Sequence, residues 1–158
     1  SYYRTYAVSQ YVDAIDDPSA ISTFGTRHIF STLDYHELSA STRLNWTFTP
    51  RLSFQAYLQP LIASGHHSGF KELALPGTFS FTPYNYGSNP DFNFRSLRAN
   101  AVLRWEYLPG STLYLVWTNV KAQSVRDGVL KVGRDFHYMM KTAPDNILSL
   151  KLTYWWAP

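Results

Sequence analysis

Apolar and polar residues alternate along several long stretches of the chain, which is the pattern of β-strands with one apolar face. The pattern is clearest between Glu37 and Thr49. Six strands are predicted, at about 2–12, 37–49, 52–62, 94–107, 112–122 and 147–156. Several are longer than the roughly 5–6 residues usual for strands of soluble proteins. We therefore expect an all-β antiparallel meander of about six long strands.

The connections between these strands are predicted to alternate between short and long. Tight turns are expected at Thr49-Pro50-Arg51 and at Pro109-Gly110, because proline and glycine favour turns and disfavour strand interiors. Long connections are expected at 13–33, 64–93 and 123–146, the last with a short helix near 133–142. Short turns at one end and long loops at the other are typical of outer-membrane β-barrels. The aromatic segment Tyr154-Trp155-Trp156 would then lie at the short-turn end.

Composition supports a membrane β-protein over an ordinary soluble domain. Aromatic residues make up 17% of the chain and charged residues only 16%, against about 25% charged in a typical soluble domain. The net charge of +3 comes from scattered basic residues, so a nucleic-acid partner is not expected. With no cysteine, disulfides and thiolate metal sites are excluded.

The first residues already read as a strand, although they alternate only weakly, and six strands are fewer than the roughly eight of the smallest usual membrane barrels. We therefore interpret residues 1–158 as one C-terminal barrel segment of a longer chain, part of a transmembrane β-barrel in the bacterial outer membrane. The expected role is membrane anchoring or solute passage. The alternative is a soluble β-sandwich, such as a carbohydrate-binding module, whose strands also alternate but turn their apolar faces inward.

The chain resembles a bacterial family of unknown function in which a C-terminal outer-membrane barrel follows a domain similar to family 9 carbohydrate-binding modules. The resembling stretches are 41–50, 52–60, 89–98, 103–107, 109–113 and 144–146. The resemblance implies contact with outer-membrane lipid and with the barrel-assembly machinery, and a link to glycan through the upstream domain. It implies no catalytic motif in this part of the chain. Outer-membrane barrels usually end in an aromatic residue, whereas Ala157-Pro158 follow Trp156 here.

Two groups of residues are candidates for binding. The first would face the polar side of the sheet, where charges either set solute selectivity or pair with one another. Its members are Arg43, Arg98, Arg104, Glu106 and Lys151. The second is a set of aromatic residues in the second long connection, suited to stacking on sugars or to folding over a barrel mouth. Its members are Phe81, Tyr84 and Tyr86.

No catalytic, cofactor or metal site is predicted. Glu37 and Glu106 would lie at opposite strand ends, too far apart for a glycosidase pair. The His66-His67 pair is interpreted as part of a solvated loop. The carboxylates of Asp16-Asp17, Asp127 and Asp135 lack the spacing of a calcium-binding loop.

Overall fold

A computed structural model describes residues 1–156, and these residues form one antiparallel β-sheet with a short helix. Ala157-Pro158, which bear on the predicted aromatic terminus, lie outside the described residues. The strands are β1 (Tyr2–Asp16), β2 (Thr26–Ser39), β3 (Thr42–Thr49), β4 (Leu52–Leu73), β5 (Phe81–Pro83), β6 (Phe92–Leu108), β7 (Ser111–Val125) and β8 (Asp145–Thr153). A 3₁₀ turn spans Ile21–Thr23, and helix α1 spans Val132–Lys141.

The strand order is β1-β2-β4-β6-β7-β8, with β3 and β5 each paired to β4. Every strand pair is antiparallel, which confirms the predicted fold class, and the predicted helix is also confirmed. The sheet is open, because within residues 1–156 the outer edges of β1 and β8 are not paired with each other, so its predicted place in a barrel stays a prediction. The strand count is eight because β2 and β3 are separated by a break at Ala40-Ser41, and β5 is an added short strand.

The strands extend further than predicted, and the long connections are shorter. β2 begins at Thr26 and β4 continues to Leu73, so regions predicted as loops belong to the sheet. Register shifts interrupt the pairing of β1 with β2 and of β2 with β4, for example between Ala7 and Gln10. Each extra residue turns the following side chains to the opposite face. The alternation that reveals a strand in the sequence is therefore lost beyond the bulge.

Gly65 shows why one predicted loop is instead the middle of a strand. Its backbone pairs with Tyr35 of β2 on one side and with Phe92 of β6 on the other. A Cβ atom here would overlap the ring of Phe92 and lie 2.9 Å from Cδ1 of Leu33. The aromatic ring takes the place of the missing side chain, an arrangement that supports glycine in a strand. Ser64 and Gly65 are consequently buried rather than part of a loop.

The sheet has very little interior of its own. Within the described residues, the buried apolar side chains are Ala20, Ile29, Ile62, Ala63, Leu97 and Met139. The chain is 45% hydrophobic, so most of its apolar surface remains uncovered. A soluble β-sandwich would bury such surface between two facing sheets, but residues 1–156 form a single sheet. None of the described helices is long and apolar enough to cross a membrane.

Candidate functional site

One face of the sheet carries a continuous band of exposed apolar side chains near the two tight turns. Leu52, Trp105, Leu113 and Leu152 lie directly opposite one another across four strands, so they point to the same side. We call this side the front face and the tight-turn end the lower end. The apolar band comprises Leu38, Leu44, Trp46, Leu52, Phe54, Ala56, Leu58, Pro60, Ile62, Leu97, Ala99, Ala101, Leu103, Trp105, Leu113, Leu115, Trp117, Leu148, Leu150 and Leu152.

Most of these side chains remain at least partly exposed, whereas Ile62 and Leu97, at the upper limit of the band, are buried. Trp46 is 56% exposed, Trp105 48% and Leu150 68%. An exposed apolar patch much larger than a few hundred square ångströms marks an interaction surface or a lipid-facing surface. The band runs from Leu52 to Ile62 on β4, roughly 33 Å at about 3.3 Å per residue.

The upper limit of the apolar band crosses the sheet obliquely. Its last apolar residue is Leu38 on β2, Ile62 on β4, Leu97 on β6, Trp117 on β7 and Leu148 on β8. Leu38 lies opposite Ile62 of β4. Trp117 lies opposite Ala101, which in turn lies opposite Ala56 of β4, six residues below Ile62. The limit thus falls by about 20 Å along the strand direction. Across the sheet it covers four strand spacings, which amount to roughly 19 Å. This corresponds to an angle of about 45°, close to the strand tilt of roughly 35–45° in membrane barrels.

Above this limit the front face becomes polar. The next front-face residues on the same five strands are His36, Ser64, Arg95, Asn119 and Asn146. The indole Nε1 of Trp117 donates to Oδ1 of Asn146 at 3.1 Å, and Nδ2 of Asn119 donates to the same oxygen at 2.8 Å. The apolar band therefore ends at a hydrogen-bonded polar row.

Aromatic residues gather at the lower end of the sheet. Trp46 stacks on Phe48 with ring centroids 5.8 Å apart, and Trp105 packs edge-on against Tyr107 at 6.0 Å. The amide of Trp155 donates to Oγ of Ser111 at 2.9 Å, which holds the C-terminal aromatic segment beside the second turn. The predicted grouping of aromatics at the short-turn end is confirmed.

All five predicted polar-face residues lie on the side opposite the apolar band, the back face. Arg104, Tyr114 and Lys151 form one cross-strand row, Arg98 lies opposite Gln59, and Arg43 lies opposite Tyr57. Glu106 is two residues from Arg104 and shares its side. The alternation of the sequence thus placed these residues correctly. Two adjoining open grooves, of about 320 and 270 Å³, run along this face and are lined in part by Arg43, Tyr57, Gln59 and Arg98.

Most of the predicted cations of the back face have no carboxylate partner among the described residues. Arg104 approaches Glu106 with 3.6 Å between Nη2 and Oε2. The guanidinium of Arg43 instead lies over the ring of Tyr57 at 5.7 Å. Neither Arg98 nor Lys151 forms an ion pair with any residue in the range 1–156. Mutual pairing, one of the two predicted roles, therefore applies only to Arg104 and Glu106 among the described residues.

Glu37 and Glu106 share the back face but are far apart along it. Glu37 lies opposite Ala63, and the amide of Glu106 donates to the carbonyl of Arg51. Twelve residues of chain, 51 to 63, separate these levels, or roughly 40 Å of strand. Glycosidase carboxylates act about 5–10 Å apart. These two carboxylates therefore cannot form such a pair within this sheet.

The predicted loop aromatics are packed against strands rather than presented freely. Phe81 belongs to β5, and its ring packs against that of Phe30 with the ring centroids 5.1 Å apart. Tyr84 lies beneath the guanidinium of Arg27 at 5.9 Å. Tyr86 packs on Phe70 and its hydroxyl donates to the carboxylate of Asp13 at 2.8 Å. Of the two predicted roles, these contacts resemble folding back over the protein more than free presentation to a sugar, because strand β4 continues into this region and gives the aromatic rings a surface to cover.

Carboxylates that sequence reasoning considered for calcium are instead held by arginines. Nε of Arg27 donates to Asp17 at 2.6 Å, and the same guanidinium pairs with Glu72 of β4. The hydrogen bond from Arg27, followed by bonds from Ser19, lowers the pKa of Asp17 to about 2. The turn between β1 and β2 is thereby tied to the upper end of β4.

Helix α1 is attached to the upper front face through Asp135. Its carboxylate is fully buried and pairs with Arg95 of β6 at 3.0 Å and with Arg134 at 2.9 Å. It also accepts a bond from the amide of Lys131 at 2.7 Å and from Nδ2 of Asn93 at 3.2 Å. Burial would raise the pKa of Asp135, but the bonds from Arg134, Lys131 and Asn93 outweigh it and lower that pKa. Sequence reasoning missed this site, because the partners are about 40 residues apart in the chain.

The two adjacent histidines lie in β4 and point to opposite faces. Nδ1 of His66 lies 2.8 Å from the carboxylate of Asp91, which also accepts the amide of His67 at 2.7 Å. Nδ1 of His67 lies 2.7 Å from Oγ of Ser31, and burial lowers the pKa of His67. The prediction of a loop is therefore wrong, since both histidines belong to β4, whereas His66 remains exposed to solvent. The described residues hold no group of three or more histidine or carboxylate side chains placed to bind a metal ion.

Comparison with known proteins gives one result. No curated protein and no solved structure matches the chain significantly. A family model described as a domain of unknown function (DUF5916) matches residues 2–156. That match covers nearly all of the sheet and helix described above, so the chain belongs to this family.

Proposed function

We propose that this chain is the membrane-embedded part of a bacterial outer-membrane β-barrel, which serves as an anchor or as the wall of a solute passage. The apolar band would meet lipid, and the back face would line the interior. The observation that carries the proposal is the oblique upper limit of the apolar band. A membrane plane crossing tilted strands requires such a limit, because each strand enters the lipid at a different residue.

The height of the apolar band supports the same assignment. At a tilt of about 45°, roughly 33 Å along β4 corresponds to about 23 Å of height, near the roughly 25 Å apolar band of outer-membrane barrels. The chemistry of the two faces also agrees, since the back face carries arginine, lysine and amide side chains suited to a hydrated interior. The open edges of the sheet would pair with further strands of a longer chain, because an unpaired edge cannot face hydrocarbon.

A pair of adjacent substitutions on β8 tests this proposal. Leu150 belongs to the apolar band, its neighbour Ser149 faces the opposite way, and both are exposed in the sheet. In lipid, Leu150→Arg costs about 2–4 kcal/mol near the bilayer midplane, whereas Ser149→Arg places its charge in the interior. In water neither substitution costs much.

The measurement is the amount of full-length protein that assembles into membranes, scored by detergent-dependent extraction and heat-modifiable gel mobility. We expect Leu150→Arg to reduce assembled protein several-fold and Ser149→Arg to leave it near the wild-type amount. Recovery of the wild-type protein in soluble form, or equal assembly of both variants, would refute lipid contact at the apolar band.

A further inference from the structure

We propose that helix α1 is a second lipid contact, an interfacial helix that lies in the headgroup region beside the apolar band. The proposal rests on the proposed function and adds a lipid-binding element outside the strands. It is carried by three observations: the path of the helix across the sheet, the apolar flank it exposes, and the charge of its segment.

The segment Gly128–Lys141 runs parallel to the oblique limit of the apolar band. At its start, a Cβ on Gly128 would lie 2.8 Å from Cα of His66 on β4. At its end, the carbonyl of Met140 accepts a hydrogen bond from Nζ of Lys121 on β7 at 2.7 Å. His66 is four residues above Ile62, and Lys121 is four residues above Trp117, where the apolar band ends. The two ends of the segment therefore lie about 13 Å along the strands, or roughly 9 Å in height, above that limit. Its middle is joined to Arg95, which is two residues above Leu97 on β6.

This placement is on the correct side of the sheet for a lipid contact. The buried Arg95, which pairs with Asp135, lies opposite Ile62 and therefore points to the front face. α1 thus covers the same face that carries the apolar band. Helices that bind at a membrane interface lie in its plane with an apolar side about 5–10 Å deep.

One flank of α1 is apolar and uncovered. Val132, Phe136 and Met140 recur at four-residue spacing, so they form one stripe along the helix. They are 52%, 50% and 49% exposed, whereas Met139 beside them is buried. The sheet holds the helix by Asp135 and Met139 and leaves this stripe without a partner among the described residues.

The charge of the segment suits an anionic surface. Residues 126–141 contain two carboxylates, and both are held in ion pairs, Asp127 by Arg134 and Asp135 by Arg95 and Arg134. The exposed Lys131 and Lys141 lie at the two ends of the helix and form no ion pair with any residue in the range 1–156. Phosphate groups of lipid headgroups attract such lysines next to an apolar flank.

Depth-dependent fluorescence quenching tests the inference, and the absence of cysteine from the chain allows single-site labelling. Full-length protein would be reconstituted in liposomes that contain phosphatidylglycerol, with bimane attached to Phe136→Cys or Met140→Cys. Nitroxide-labelled lipids would place the quencher either in the headgroup region or deep in the acyl chains. Leu150→Cys reports insertion of the apolar band, and Phe79→Cys, at a 92% exposed position away from the helix, is the aqueous control.

We expect headgroup nitroxides to quench both α1 labels at least twofold more than the Phe79→Cys label, while the Leu150→Cys label is quenched best by deep nitroxides. Quenching of Leu150→Cys without quenching of either α1 label would overturn the inference and leave the proposed function intact. If Leu150→Cys is not quenched either, the proposed function fails and the inference fails with it. Heat-modifiable mobility of each labelled variant confirms that the protein measured is folded.

Discussion

Arg95 of β6 and Asp135 of α1 form an ion pair with 3.0 Å between Nη2 and Oδ1, and both side chains are almost completely buried. The pair joins the helix to the sheet just above the apolar band. The Nε atom of Arg95 and Oδ1 of Asn93 have no hydrogen-bond partner among the described residues. Attachment of α1 therefore depends on a small polar cluster rather than on a large apolar contact.

Removal of the Asp135 charge should release α1 from the sheet. Asp135→Asn leaves Arg95 buried without its partner, which typically costs about 3–5 kcal/mol. We expect hydrogen exchange of residues 132–141 in the full-length protein to rise by at least tenfold, while exchange in β6 and β7 changes little. Asp127→Asn is the matched control, because Asp127 pairs with Arg134 at a more exposed position and such pairs contribute only about 0–1 kcal/mol. Equal protection of the helix in both variants would contradict this role of Asp135.

Acidification should loosen the turn between β1 and β2. Arg27 lowers the pKa of Asp17 to about 2, below the roughly 3.9 of a free aspartate. A carboxylate whose pKa is lowered in the folded state stabilises the docked turn at pH values above its free pKa. This stabilisation is lost as the pH falls through the lowered pKa. A nitroxide on Ser22→Cys should therefore be immobile at neutral pH and become mobile between about pH 4 and pH 2.

The variant Asp17→Asn isolates this carboxylate. It should make the nitroxide on Ser22→Cys mobile already at neutral pH and remove the acid transition. An unchanged transition in Asp17→Asn would assign the effect to another group, with Glu72, the second partner of Arg27, as the next candidate.

Gly65 should tolerate no side chain while Phe92 covers it. Gly65→Val forces the ring of Phe92 and Cδ1 of Leu33 to move, and overpacking of this kind costs about 1–3 kcal/mol. The measurement is the urea concentration at which full-length protein loses heat-modifiable mobility. Phe92→Ala should partly rescue Gly65→Val, because it empties the space that the new side chain needs. Gly87→Ala, where a Cβ meets nothing within 4 Å, is the control and should be neutral.

The unpaired cations of the back face predict a preference for anions, provided that this face lines an open passage. Arg43, Arg98 and Lys151 lack carboxylate partners among the described residues, and rings of charged side chains set the sign of permeant ions in pores. In planar bilayers with a salt gradient, Arg43→Glu with Arg98→Glu should shift the zero-current potential of the full-length protein toward cation selectivity. Lys141→Glu changes a charge outside the strands and should have a much smaller effect. An unaltered potential in the double variant would exclude these arginines as selectivity determinants.

The lower half of the sheet could be predicted from the sequence, and most of the upper half could not. In the lower half, uniform alternation from Arg43 to Thr47 and from Leu97 to Glu106 identifies strands, faces and turns together, because the register shifts there come only next to the two turns. In the upper half, bulges such as the one after Ala7 change the phase, and polar residues occupy both faces. His66 and His67 are therefore predicted as loop residues, although both belong to β4.

The sequence by itself determined which residues share a face, because side-chain direction in a strand depends only on position along the chain. It thereby placed the five charged candidates opposite the apolar residues. Only the tertiary structure decided the oblique limit of the apolar band and the attachment of α1 through Asp135 and Arg95. Both depend on the register between strands and on contacts between distant parts of the chain, and the local pattern of apolar and polar residues does not encode these.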